Sequence, residues 1–133
     1  MPYQLADQAA LPETDTAADA QLYQLPVQEG DIIIVASDGL WDNLWDEQVA
    51  AMASKYDITR PGTLTRSPAA LAQALAQELA AKAHKVARDP NVRSPWAVEA
   101  AASAPDTNML QRMFPRGGKM DDVGVAVAFV TRV

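Results

Sequence analysis

The sequence predicts an α+β domain, with strands toward both ends of the chain and helices between them. Three observations carry this prediction. The run Ile32-Ile33-Ile34-Val35-Ala36 is almost wholly β-branched and stops abruptly at Ser37-Asp38-Gly39. A second apolar run, Val123 to Val130, follows Gly117-Gly118-Lys119-Met120-Asp121-Asp122. Between them the apolar residues recur at helical spacing, most clearly at Leu71, Leu75, Leu79, Ala83 and Val86. At 133 residues, 49% hydrophobic and 21% charged, the chain suffices for one globular domain and not for two.

Taken in order, residues 6–20, with Pro12, Thr14, Asp15, Thr16 and Asp19, lack periodicity and read as an exposed loop. Gln21 to Gln28 alternates as a strand would, and Pro26 places it at a sheet edge. Glu29-Gly30 then reads as a tight turn into a strand from Asp31 to Ser37, so the pair is expected to form an antiparallel hairpin. Continuous β-branching predicts that the second strand is covered on both faces. Asp46 is the expected N-cap of a helix carrying Val49, Met52, Ala53 and Tyr56 on one side. Residues 57–66 read as loop. Ser67-Pro68 pairs an N-cap with proline at the first helical position and opens the longest helix, which Asp89-Pro90 ends. Ser94-Pro95 repeats that start signal for a short helix to about Ala102. Pro105 to Pro115 reads as irregular, and a strand from Val123 to Thr131 ends the sequence.

Two acidic sites stand out against this frame. Asp38 ends a buried strand, where an ionised carboxylate is costly unless a cation or donors meet it. A divalent metal is a natural partner, and an ordinary turn aspartate is the alternative. Asp121 and Asp122 precede the last strand, far away in sequence, so only a tertiary fold in which two strand ends meet brings the sites together.

Composition excludes several classes. There is no cysteine, hence no disulfide, no cysteine-based zinc site and no thiolate nucleophile. No run of about 18 apolar residues is present to span a membrane. The net charge is −6 and the isoelectric point about 4.6, with no basic stripe to meet nucleic-acid phosphates. Residues 1–54 hold ten carboxylates and no Lys or Arg, the opposite of an organellar transit peptide. Gly117-Gly118-Lys119 lacks the spacing of a nucleotide-binding loop and enters a strand rather than a helix. Asp38 to Asp46 lacks the order of a calcium loop. His84, the single histidine, lies beside the apolar stripe of the long helix and reads as structural or surface. Asp42 and Asn43 read as turn or cap residues, and Trp41, Trp45 and Trp96 as packing anchors. Arg112 and Arg116, near the glycine turn, could approach a phosphate, with an exposed, solvated role the default; Lys119 is given no catalytic role, and no side chain is assigned as catalytic.

The D-G-L-W-D-N block at Asp38 to Asn43 and the G-G-K-x-D-D block at Gly117 to Asp122 resemble the metal-dependent serine/threonine protein phosphatases, the PPM or type 2C family. The stretches Ala83-His84-Lys85, Asp89-Pro90-Asn91 and Ser94-Pro95-Trp96-Ala97, with the opening Pro2-Tyr3-Gln4-Leu5, resemble the branch typified by mitochondrial and chloroplast members. That branch suggests one of those compartments. The resemblance runs over nearly all of residues 1–133 but covers only the later, C-terminal portion of the family's catalytic domain. It implies part of an αββα sandwich of antiparallel strands flanked by helices. It also implies Mn2+ or Mg2+ as cofactor, a phosphoprotein substrate, and hydrolysis by a two-metal-activated water. The implied metal ligands are Asp38 and Asp121, the latter because it occupies the family's first acidic position; its neighbour Asp122 is the alternative ligand and otherwise a capping or supporting residue. The family's E-D pair and D-G-x-G-G segment do not occur in this sequence, and no arginine precedes Asp38. Gly124 stands where members often have Thr or Ser. The chain alone is therefore expected to bind metal weakly and to be inactive or nearly so. The alternative is a non-catalytic interaction or regulatory module derived from the fold. Either way, a sandwich missing half its strands is expected to leave a large apolar patch uncovered. Oligomeric state is not legible.

Overall fold

A computed structural model describes residues 14–59, 66–103 and 109–132. Its elements are β1 (Ile32–Ala36), α1 (Asp38–Trp41), α2 (Asp46–Ala53), α3 (Pro68–Ala87), α4 (Pro95–Ser103), α5 (Met109–Met113) and β2 (Val125–Phe129). Single 3-10 turns lie at Ala17–Asp19 and Ser54–Tyr56.

The predicted terminal strands pair with each other. β1 and β2 are antiparallel, in a register running from Ile32 opposite Phe129 to Ala36 opposite Val125. Backbone bonds Gly30 N–H to Val130 O and Val130 N–H to Asp31 O, both 2.9 Å, extend the ladder beyond one end. At the other end, Ser37 N–H reaches Gly124 O at 3.0 Å. Pairing the far ends of the chain this way brings the residues after β1 beside those before β2.

Side chains alternate across a strand, so the two-stranded sheet has one covered and one bare face. Ile32, Ile34, Ala36, Val125 and Val127 pack toward a core of Leu40, Leu44, Val49, Ala53, Leu75, Leu79, Ala83 and Val86. Each buried leucine there contributes roughly 1.5–3 kcal/mol. The opposite face is open, with Ile33 44% and Val35 66% exposed. The expectation that β1 is covered on both faces therefore fails among the described residues: α3 covers one side and nothing lies on the other. The expected uncovered apolar patch is present there.

The N-terminal hairpin also fails. Gln21 to Gln28 forms no strand, and Leu22, Tyr23, Leu25 and Val27 are exposed. Gly30, at φ 95°, turns the chain, with Asp31 N–H bonded to Gln28 O at 3.1 Å. Beyond that turn Gln21 to Gln28 makes no strand pairing with β1, whose described sheet partner is β2. Alternation alone does not make a strand when no sheet face is there to receive its apolar side. Most of the loop expected at residues 6–20 lies outside the described residues; its described end carries the Ala17–Asp19 turn.

The helices follow their sequence signals closely. Ser67 Oγ accepts the Ala70 N–H at 3.3 Å with Pro68 leading α3, and the stripe from Leu75 through Val86 is buried. Ser94 Oγ accepts the Ala97 N–H at 3.1 Å at the start of α4. α2 begins one residue earlier than expected: Trp45 is the N-cap, its N–H bonded to Gln48 Oε1 at 3.0 Å, and Asp46 is the first helical residue. The stretch predicted as irregular contains α5, because Met-Leu-Gln-Arg-Met are all good helix formers.

Glu78 on α3 ties down the end of α2. It accepts the Tyr56 hydroxyl at 2.8 Å and pairs with Lys55 at 3.3 Å. The Tyr56 hydrogen bond holds the Glu78 carboxyl below its usual range. A depressed folded-state pKa adds stability above the unfolded value and loses it as pH falls through the folded one. Tyr56→Phe should therefore cost about 0.5–1 kcal/mol near pH 7, a charged hydrogen bond discounted for exposure. That difference should shrink as acid protonates Glu78, which urea unfolding of both proteins at pH 7 and pH 3 will measure.

Candidate metal centre

The centre is assembled where β1 ends and β2 begins. Asp38 opens the single turn of α1, and Asp42 follows one turn later on the same side. Asp121 arrives from the segment leading into β2. One carboxylate oxygen from each of Asp38, Asp42 and Asp121 lies within 4.8 Å of the others.

Close backbone contacts hold the two segments together. Ser37 Oγ donates to Asp122 O and accepts the Gly124 N–H, both at 2.9 Å. Asn43 is buried and bridges from α1: Nδ2 donates to Gly39 O and Lys119 O, while Oδ1 accepts the Lys119 N–H, each at 2.9 Å. Gly39 is needed for proximity, since a methyl group there would lie 2.4 Å from Asp122 O. Further back, the glycine turn is held by Gly117 N–H to Val92 O at 2.7 Å and Ser94 Oγ to Gly117 O at 2.6 Å. Gly117 has φ 117°, and a methyl on Gly118 would lie 2.2 Å from Val86 O at the end of α3.

Lys119 supplies the positive charge. Its Nζ lies 2.6 Å from Asp42 Oδ2, 3.1 Å from Asp121 Oδ2 and 3.3 Å from Asp38 Oδ2. These partners, Asp42 first, push the lysine well above its ordinary pKa. The Asp121 carboxyl is lowered, chiefly by Lys119 and then by the Asp122 N–H, which reaches Asp121 Oδ1 at 2.9 Å.

The donor set is all oxygen and anionic, the chemistry that hard divalent ions such as Mg2+ and Mn2+ take. The structure brings Asp38 and Asp121 together, but the Asp38 carboxylate is 69% exposed, so the expectation that burial of its charge demands a partner fails: α1 turns it out to the surface. The structure adds Asp42 and Asn43, which the sequence reads as turn or cap residues, and Lys119, to which the sequence assigns no catalytic role. The four-residue spacing of Asp38 and Asp42 was the available signal, but it matters only once a helical turn follows the strand. Asp122 contributes its backbone, and Arg116 is exposed beside the glycine turn. His84, exposed on α3, lines a shallow hollow together with Asp121 and Asp122. Trp45 packs as expected, beneath the Arg93 guanidinium at 5.3 Å and with Nε1 donating to Arg93 O. Trp41 and Trp96 are each more than a third exposed.

No protein-family model matches the chain. Individual proteins do. It is 33% identical to probable protein phosphatase 2C 26 of Arabidopsis thaliana, over 97% of this chain and 39% of that protein. It is 34% identical to the protein phosphatase PTC7 homolog of Xenopus laevis, over 94% of this chain and 36% of that one. Its fold superposes on the X-ray structure of the photosystem II phosphatase PBCP with a TM-score of 0.73 and 31% identity, over 98% of this chain and 46% of that one. The chain belongs to the protein phosphatase 2C family. It spans less than half the length of each of these type 2C relatives.

Proposed function

We propose that the chain is the C-terminal portion of a protein serine/threonine phosphatase domain and that Asp38 and Asp121 are ligands for Mn2+ or Mg2+ in it. The observation carrying this reading is the convergence, within 4.8 Å, of carboxylates from the two blocks that resemble the family. Bound ions of this kind activate a water for attack on phosphorus and neutralise charge on the phosphate. The chain's own residues position that chemistry. Ser37 and Asn43 lock the two segments in register, Gly39 lets them touch, and Asp42 and Lys119 complete the charge pattern around the ligands.

The substrate class is phosphoserine and phosphothreonine in proteins. The bare face of β1 and β2 supports the partial-domain reading, because it is the surface on which a second sheet of a sandwich packs. Joining the chain to a segment supplying the E-D and D-G-x-G-G blocks should yield Mn2+-dependent hydrolysis of a phosphothreonine peptide. The 133 residues alone should show almost none. Substantial turnover by the short chain, abolished by Asp38→Ala, would overturn the partial-domain reading.

A further inference from the structure

Lys119 is held at its root and committed at its tip. Asn43 clamps its backbone on both sides, N–H and C=O, at 2.9 Å each. Its Nζ meanwhile reaches Oδ2 of Asp42, Asp121 and Asp38 at 2.6, 3.1 and 3.3 Å. The three carboxylates it touches are the same three that form the candidate cation cluster. An ammonium and a hard divalent ion thus compete for one set of lone pairs, and two cations sharing that set repel each other.

We infer that Lys119 is a tethered competitor for the metal site, an internal cation whose ammonium must withdraw from the Asp38 and Asp121 oxygens before a divalent ion takes them. This rests on the metal reading above. The flexible four-carbon stem lets Nζ move while the clamped backbone stays in place. Asp42, the nearest partner and the one outside the family-implied ligand pair, is where the displaced ammonium remains anchored. Lys119 is a positioning residue in this scheme: it sets how tightly the site takes an ion without itself reacting.

The test is Mn2+ titration calorimetry on the wild-type chain, Lys119→Met and Lys119→Arg. A second readout is the rate at which acetic anhydride modifies Lys119 with and without Mg2+, followed by peptide mass spectrometry. Methionine keeps the stem and removes the charge, so Lys119→Met should bind Mn2+ at least tenfold more tightly, whereas Lys119→Arg should stay within a few fold of wild type. Acetylation of wild-type Lys119 should speed up several-fold as Mg2+ frees the ammonium. Equal or weaker binding by Lys119→Met, or acetylation unaffected by saturating Mg2+, would overturn the competition while leaving the metal site standing. If the wild type and both variants all bind no Mn2+, the metal reading itself fails, and the competition with it.

Discussion

Asp121→Asn is expected to weaken Mn2+ binding by about 10–100-fold, by analogy with the loss that follows when a metal site's supporting groups are removed. The substitution is nearly isosteric. Its remaining carbonyl oxygen still accepts the Asp122 N–H that Asp121 Oδ1 accepts at 2.9 Å, so the local backbone has no reason to move. What is lost is a negative charge 3.1 Å from Lys119 Nζ. Asp42 and Asp38 still partner that ammonium, so the lysine does not become an unpaired cation and the fold should persist. Calorimetric titration paired with circular dichroism separates the two effects. Undiminished affinity in a folded Asp121→Asn protein would remove Asp121 from the ligand set.

Gly39→Ala should damage both stability and the centre. Two effects oppose each other. Alanine is favoured over glycine inside a helix by roughly 0.5–1 kcal/mol, and Gly39 lies within α1. The added methyl, however, would sit 2.4 Å from Asp122 O, 3.0 Å from its carbonyl carbon and 3.2 Å from Val123 Cγ2. Those are mostly backbone atoms, which cannot swing aside as a side chain can, and overpacking of this kind costs about 1–3 kcal/mol. The clash wins. Relief requires the segment carrying Asp121 to shift away from the one carrying Asp38, so Mn2+ affinity should fall together with the urea midpoint. Gly124→Ala is the control: its methyl would meet only Ser37 Oγ, at 3.9 Å, an ordinary contact. Equal midpoints for the two alanine variants would show that the close approach at Gly39 is not limiting.

The elements that needed only local information were legible before any coordinates. Ser67-Pro68 and Ser94-Pro95 marked helix starts because a cap and a preset proline act within one turn. The β1 run and its stop at Asp38 were plain from branching and charge. Helix α5 was missed because nearby prolines outweighed the propensity of Met109 to Met113. The N-terminal hairpin failed for a different reason: alternation in Gln21 to Gln28 describes what a strand would bury, not whether anything is there to bury it against.

By itself the sequence determined the α+β class, the long capped helix and the two acidic blocks; Asp38 and Asp121 are candidate ligands through the family resemblance those blocks carry. Each is encoded by neighbours a few residues apart. Tertiary structure alone decided that β1 pairs with β2, so that both blocks share one end of a sheet. It also decided that Asp42 joins them, that Asn43 rivets the segments and that Lys119 points its charge inward. Contacts between residues so distant in the chain leave no local periodicity to read, because they depend on which surfaces packing brings face to face.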